Sequence, residues 1–369
     1  MTVSVTLSFY IARQFTLAVM AMILSLTGLV SLFDFIDLLR RVATRPDVPT
    51  SLASEIALLH VPYFMIEILP FGVLLGGIVC FWRLTRSSEL IVARAAGISA
   101  WQFLTGPLSC ALLIGILATG ALSPLSSIMY RQAETLDHVY LRSGGPLNLS
   151  DGALWLRQAD SGLVPHGVAI LHARSVHLQG GVLRIGGISL FRLDDTDHLI
   201  VRIEAPEGYL GRKVWIFQDA RTIRPDRLPV PAGRFVMPTD LTVPRVQESF
   251  ASPDTLSVWA LPGFIALLER SGFSSIRHRL HFQTLLTLPI LAGTMALVAA
   301  GFSMRPTRRG GVARMIGSGV AAGFALFTIS KVAAQFGESG AMPPLLAAWA
   351  PTGAGLCLAV SLLLHLEDG

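Results

Sequence analysis

The sequence predicts an α-helical membrane protein with six transmembrane helices and one inserted all-β domain. Three observations carry that reading. The 369 residues are 52% hydrophobic and only 14% charged, and the mean hydropathy of +0.59 lies outside the soluble range. The apolar residues gather into runs long enough to cross about 30 Å of hydrocarbon. Between the third and fourth runs, about 150 residues have a different, strand-like texture.

The first crossing is residues 14–33, uncharged between Arg13 and Asp34. The second runs from about Leu58 to Trp82 and holds one acid, Glu67, which in lipid is expected to face protein or water. No charge occurs from Ala95 to Tyr130; a crossing from about Phe103 to Ser123 fits best, preceded by an interfacial approach. Phe282–Met304 is the fourth, again uncharged. Gly311–Gln335, apolar except for Arg314 and Lys331, is the fifth. Ser339–Leu364 is the sixth, and Pro351 is tolerable inside a transmembrane helix.

In the middle region ALWLRQ, HGVAILHARSVHL, GVLRIGGISLFRL, HLIVRIEA and RKVWIFQD show partial alternation or β-branched enrichment. Turn signals such as DG, GG and PEG punctuate them. TLSVWALPGFIALLERSG (255–272) reads as a short helix leading back to the membrane. The division is therefore 1–130 for crossings one to three, 131–254 for the β domain, 255–278 for a connecting helix and 279–369 for crossings four to six.

Arginines set the orientation. Arg83, Arg86 and Arg94 flank the loop after crossing two, and Arg305, Arg308, Arg309 and Arg314 fill the loop after crossing four. Arg40, Arg41 and Arg45 after crossing one are a counter-signal. The balance places both termini and the two arginine loops in the cytoplasm, with the β domain outside, which is the periplasm in a Gram-negative cell.

Several function classes are excluded. The basic residues lie beside apolar runs, so membrane topology rather than nucleic acid explains the net charge of +5. There is no G-x-x-x-x-G-K-[ST], no G-x-S-x-G and no H-E-x-x-H. Cys80, Cys110 and Cys357 sit in apolar surroundings and form no disulfide or metal pattern. His278 and His281 read as interfacial residues at a helix entry, and Asp194, Asp195 and Asp197 as a solvated turn without calcium-loop spacing. No catalytic constellation and no metal site emerges.

Two polar places stand out. In RLTRSSELIVARAAGIS (83–99), Ser88 can cap a helix that starts at Glu89 and stops at Gly97. Leu90, Ile91, Ala95 and Ile98 give it an imperfect apolar stripe. At about 1.5 Å per residue it is too short to cross a membrane. It fits either an interfacial connector or a docking knob for a cytoplasmic protein. Asp34, Asp37, Arg40 and Arg41, at the outer end of crossing one, fit either a solvated helix end or a contact for an anionic amphiphile. Lys331 fits a snorkelling cation near the outer end of crossing five.

FDFIDLLRR (33–41), ILPFGVLLGGIVCFWRLTRSSELIVARAAGIS (68–99) and the stretch from RLHFQ to the end, including LPILAGTMALVAAGFSMRP (288–306), resemble the lipopolysaccharide export permeases of the LptF/LptG family. RLHFQ, GFSMRP and AQFGESGAMPPLLAAWAP resemble the LptG branch more than the LptF branch. The resemblance implies a non-catalytic permease subunit in the bacterial inner membrane that extracts lipopolysaccharide. The paralogous subunit, or a scaffold that only anchors the β domain, stands as the alternative.

The family's partners would be the other permease, a dimer of the ATPase LptB, a membrane-anchored LptC-like protein and an LptA-like periplasmic bridge. ATP and Mg would sit on the ATPase, with no cofactor in this chain. The β domain is expected to be of jellyroll type, and crossings one and five to form lateral gates. Ser88–Gly97 matches the family's coupling helix, assigning ATPase contact to Glu89, Leu90, Ile91, Arg94, Ala95 and Gly97. Arg40 and Arg41 match basic residues expected to meet lipid phosphates, with Lys331 as a further cation. Asp34 departs from the pattern, because some members carry lysine there.

Overall fold

The computed structural model describes residues 5–44, 48–87, 89, 92, 99–141, 154–160, 168–179, 182–194, 198–224, 227–239, 252–270, 274–304 and 312–368. The chain divides into two compact units. One comprises Met1–Ala133, Pro253–Pro262 and Ile276–Gly369; the other comprises Glu134–Ser252 and Gly263–Ser275.

The helical unit is built from α1 (Val5–Ala43), α2 (Ser51–Arg86) and α3 (Ala100–Leu117). A π-turn, Ala118–Leu122, carries α3 on into α4 (Ser123–Leu136). After the β strands come a short helix, α5 (Leu261–Arg270), and then α6 (Ile276–Ser303), α7 (Val312–Glu338) and α8 (Pro344–Asp368). Among the described residues, six helical runs are long and apolar enough to cross a membrane, as expected.

Their ends differ from the expected ones. The first run continues to Ala43 and the second begins at Ser51, so the helix itself extends past residue 33 and carries Asp34, Asp37, Arg40 and Arg41 on its end. Charged residues are competent helix formers, and nothing at the hydrocarbon edge obliges a helix to stop. The third run starts at Ala100, within the stretch expected to be an interfacial approach, because Ser99 and Gln102 form a capping box there. It then extends to Leu141.

α6 is the centre of the bundle: 72% of its apolar stretch is buried, against 22% for α1 and 17% for α7. It packs on α2, α3, α7 and α8. Small residues make this possible, since Ala292, Ala296, Ala299 and Ala300 are all buried. The α1–α2 interface uses the same device. Gly72 and Gly76 are four apart, and a Cβ on Gly76 would lie 2.5 Å from the Cα of Val19. Only glycine lets the two backbones approach so closely. Ile11, Phe15, Val19 and Ile23 of α1 are buried in the same core as Leu69, Val73 and Leu74 of α2. Pro351 lies within α8 without ending it.

The β unit contains a six-stranded antiparallel sheet with neighbours in sequence order: β1 (Leu154–Ala159), β2 (Val168–Gln179), β3 (Val182–Leu193), β4 (Leu199–Leu210), β5 (Val214–Arg224) and β6 (Arg227–Pro238). The described strands form a meander; the strand crossover of a Greek-key jellyroll is not among them. Alternate residues of β3 are buried, and Leu171, Leu190, Ile203, Trp215 and Phe217 belong to one apolar core.

Two readings change here. PEG (206–208) is not a turn, because β4 runs through it; pairing with β5 lapses beside Pro206, which has no N–H, opposite Asp219 at φ 50°. β6 is a sixth strand that the sequence reading did not name. Pro229, Pro231 and Pro238 disguise it, and they are tolerated because β6 lies at a sheet edge. Asp160 and Arg192, both buried, form a two-point ion pair between the end of β1 and β3.

The connecting helix is shorter than 255–278. Pro253–Thr255 is a single 3₁₀ turn, and α5 begins only at Leu261, where Pro262 in the first turn needs no hydrogen-bond donor.

Candidate functional site

Two of the expected site residues, Asp34 and Lys331, meet partners on one helix, α2. His60, Tyr63, Phe64, Glu67 and Phe71 are spaced three, four, seven and eleven residues from His60, which puts them along one face. The two ends of that polar stripe reach different neighbours.

Toward α1, His60 Nδ1 lies 2.8 Å from Asp34 Oδ2 in a part-buried pair. The His60 ring stands 5.4 Å from Tyr130, and Tyr63 stands 4.7 Å from the same tyrosine. Toward α7, Lys331 Nζ donates to Glu67 Oε1. The ammonium also sits 5.4 Å from the Phe327 ring centroid, and Phe327 packs 4.7 Å from Phe71. The partner that makes Glu67 affordable among apolar helices is therefore Lys331.

Glu67 and Lys331 line a cavity of about 300 Å³, together with Tyr63, Asp254, Arg277 and His281. His281 Nδ1 lies 3.5 Å from Asp254 Oδ1. The wall therefore mixes both signs of charge. Among the described residues no cluster of three or more His, Cys, Asp or Glu side chains is arranged to hold a metal. Such a lining suits water or polar groups in an otherwise apolar bundle.

At the end of α1, Arg41 pairs with Asp37 at 2.7 Å, one helical turn away. Arg40 is exposed and has no carboxylate partner among the described residues. The four expected substrate-contact residues thus divide. Arg40 and Arg41 present cations at the surface, Asp34 is engaged by His60, and Lys331 is engaged by Glu67 rather than snorkelling alone.

At the other end of α2, Ser87 N donates to Arg83 O at 3.0 Å and closes the helix. Thr85 Oγ1 reaches Ser303 O at 3.1 Å, tying the ends of α2 and α6 together. Glu89 and Val92 are helical; Glu89 is half-buried and accepts from Ser87 Oγ at 2.8 Å, and Val92 is exposed. Leu90, Ile91, Arg94, Ala95 and Gly97 lie outside the described residues.

His60, Tyr63 and Tyr130 were missed by sequence reasoning. The usable signal was His60 exactly two helical turns before Glu67, a second polar group on one face of an apolar run. In the β unit, Asp194 Oδ1 accepts from His198 N at 2.8 Å, while Asp195 and Asp197 lie outside the described residues.

The family described as "Lipopolysaccharide export system permease LptF/LptG" matches residues 9–365. The chain is 22% identical to lipopolysaccharide export system permease protein LptG of Escherichia coli K12 over 362 residues, covering 96% of this chain and 97% of that one. It is 21% identical to the protein of the same name from Haemophilus influenzae over 353 residues, covering 94% and 95%.

Proposed function

Because the chain belongs to the LptF/LptG family of lipopolysaccharide export permeases, we propose that it is the LptG-type subunit of a lipopolysaccharide extractor. In this reading it pairs with an LptF-type permease and is driven by a dimeric LptB-type ATPase that holds ATP and Mg. An LptC-like protein and an LptA-like bridge then receive the lipid. Both termini lie in the cytoplasm and the β unit in the periplasm, consistent with the arginine-rich loops.

One observation supports the lateral-gate role most directly. α1 and α7, the helices that the resemblance makes gates, are the two least buried spans, at 22% and 17%. Their bare apolar faces include Leu29, Leu32 and Phe33 on α1 and Phe324, Ile329 and Val332 on α7. These faces need a lipid or a second permease to cover them. In this reading Arg40 and Arg41, in the last turn of α1, meet lipid phosphates as acyl chains enter between the gates. Lys331 is a conditional contact, since it must first leave Glu67. Asp34 serves α1–α2 attachment rather than the substrate.

Glu89 carries the ATPase contact in this scheme. Closure of the ATPase on ATP pushes the segment after α2, rigid helices pass the motion on, and the substrate cavity between the two permeases narrows. The amphiphile then leaves toward the β unit, whose apolar core residues suit acyl chains.

Photo-crosslinking residues at Leu32 and Ile329 test the reading in intact cells. Lipopolysaccharide or an LptF-type permease should be captured at both. Capture of bulk phospholipid alone at both positions would refute it. Mass spectrometry of the co-purified complex distinguishes the LptG from the LptF role by which paralogue accompanies the chain.

A further inference from the structure

We infer that the groove between α1 and α2 at the end of the bundle where α1 begins is a binding site for an anionic glycerophospholipid. The groove has a volume of about 560 Å³. Its polar end carries Tyr10, Arg13, Gln14 and Arg83, and its apolar wall runs through Leu17 and Val79. It is therefore amphipathic along its length, as a phospholipid is.

Charge selects the ligand. No carboxylate lines the groove. Among the described residues, neither Arg13 nor Arg83 has a carboxylate within ion-pair distance, and Glu89, the next described acid after Arg83, accepts from Ser87. Gln14 Nε2 donates to Tyr10 Oη at 2.7 Å, which leaves the tyrosine O–H as a further donor. Two guanidinium groups on separate helices facing one groove match a phosphodiester, which accepts paired N–H donors.

Depth selects the source. At about 1.5 Å per residue, Arg13 and Arg40 lie roughly 40 Å apart along α1, about the full thickness of a bilayer with its headgroups. Arg13 is thus at one headgroup layer and Arg40 at the other. Trp82 marks the same layer beside Arg83, with Arg86 stacked 5.6 Å from its ring. The groove consequently serves the leaflet opposite to Arg40 and Arg41, so its occupant is a resident phospholipid and not the exported glycolipid.

The test uses the full-length complex in nanodiscs, with bound lipid read by native mass spectrometry. Phosphatidylglycerol should be retained over phosphatidylethanolamine. Arg13→Gln or Arg83→Gln should each lower retention about fivefold, and the double variant about twentyfold. Ala21→Trp, which fills the groove and leaves the charges intact, should also lower it and so separates occupancy from misfolding of the arginine variants. Equal retention of the two lipids, an unaffected double variant, or full displacement by inorganic phosphate or lipopolysaccharide would overturn the proposal. So would a photo-crosslinker at Gln14 that captures protein instead of lipid.

Discussion

Lys331 and Glu67 lie 264 residues apart in sequence, yet one neutralises the other between α7 and α2. Removing one partner leaves the other's charge without its ion-pair partner, whereas removing both leaves neither. Glu67→Gln should therefore destabilise the protein more than Glu67→Gln with Lys331→Gln. The double-mutant cycle, read from thermal unfolding in detergent, should give a coupling of about 0.5–3 kcal/mol. Additive effects would show that the pair holds nothing together. Arg40 and Arg41 lie at a surface instead, Arg41 beside Asp37. Arg40→Glu with Arg41→Glu should lower lipopolysaccharide crosslinking at α1 by about tenfold, and an unchanged yield would remove them from the substrate path. The sequence marked Asp34, Glu67 and Lys331 because each is costly in lipid. It could not show their partners, since pairing across helices depends on packing that no local pattern encodes.

Among the elements, the α1–α2 contact depends on the absence of side chains. A leucine at Gly76 would drive its Cβ into the backbone of α1 at Val19, where no rotamer change gives relief. Gly76→Leu should cost about 1–3 kcal/mol or more and lower the recovery of folded protein, while Gly28→Leu should be mild because nothing lies within 4 Å of a Cβ there. Equal recovery of the two variants would contradict the tight interface. All six crossings were legible as charge-free or nearly charge-free runs. Their ends were not, because α1 carries Asp34 to Arg41 on continuing helix and Ser99 starts α3 early. Five strands were legible from alternation. β6 was not, because three prolines in a strand speak against it unless its place at a sheet edge is known.

For the molecule as a whole, family and architecture were readable because they rest on the order of spans and on motifs distributed along the chain. The proposed motor contact rests on far less, a few residues after α2. Glu89→Lys reverses a half-buried charge there. It should weaken recovery of the ATPase with the permeases by about tenfold or more and uncouple ATP hydrolysis from transport in proteoliposomes. Undiminished recovery with undiminished transport would leave the segment as a plain connector.

The glycines at Gly72 and Gly76 also have a kinematic meaning. At these two positions no side chain separates the backbones, so sliding of α1 along α2 is blocked there and the two helices are expected to move together. A displacement applied near Ser87, where α2 ends, reaches the α1 end bearing Arg40 and Arg41 without crossing an intervening joint. α7 meets α2 over a shorter stretch, through the Lys331–Glu67 ion pair, the contacts of Phe71 with Phe324 and Phe327, and Gly323 set against Leu74. Loosening the glycine seam should therefore register as lost motion, with ATP hydrolysed at the usual rate and less lipid moved per cycle.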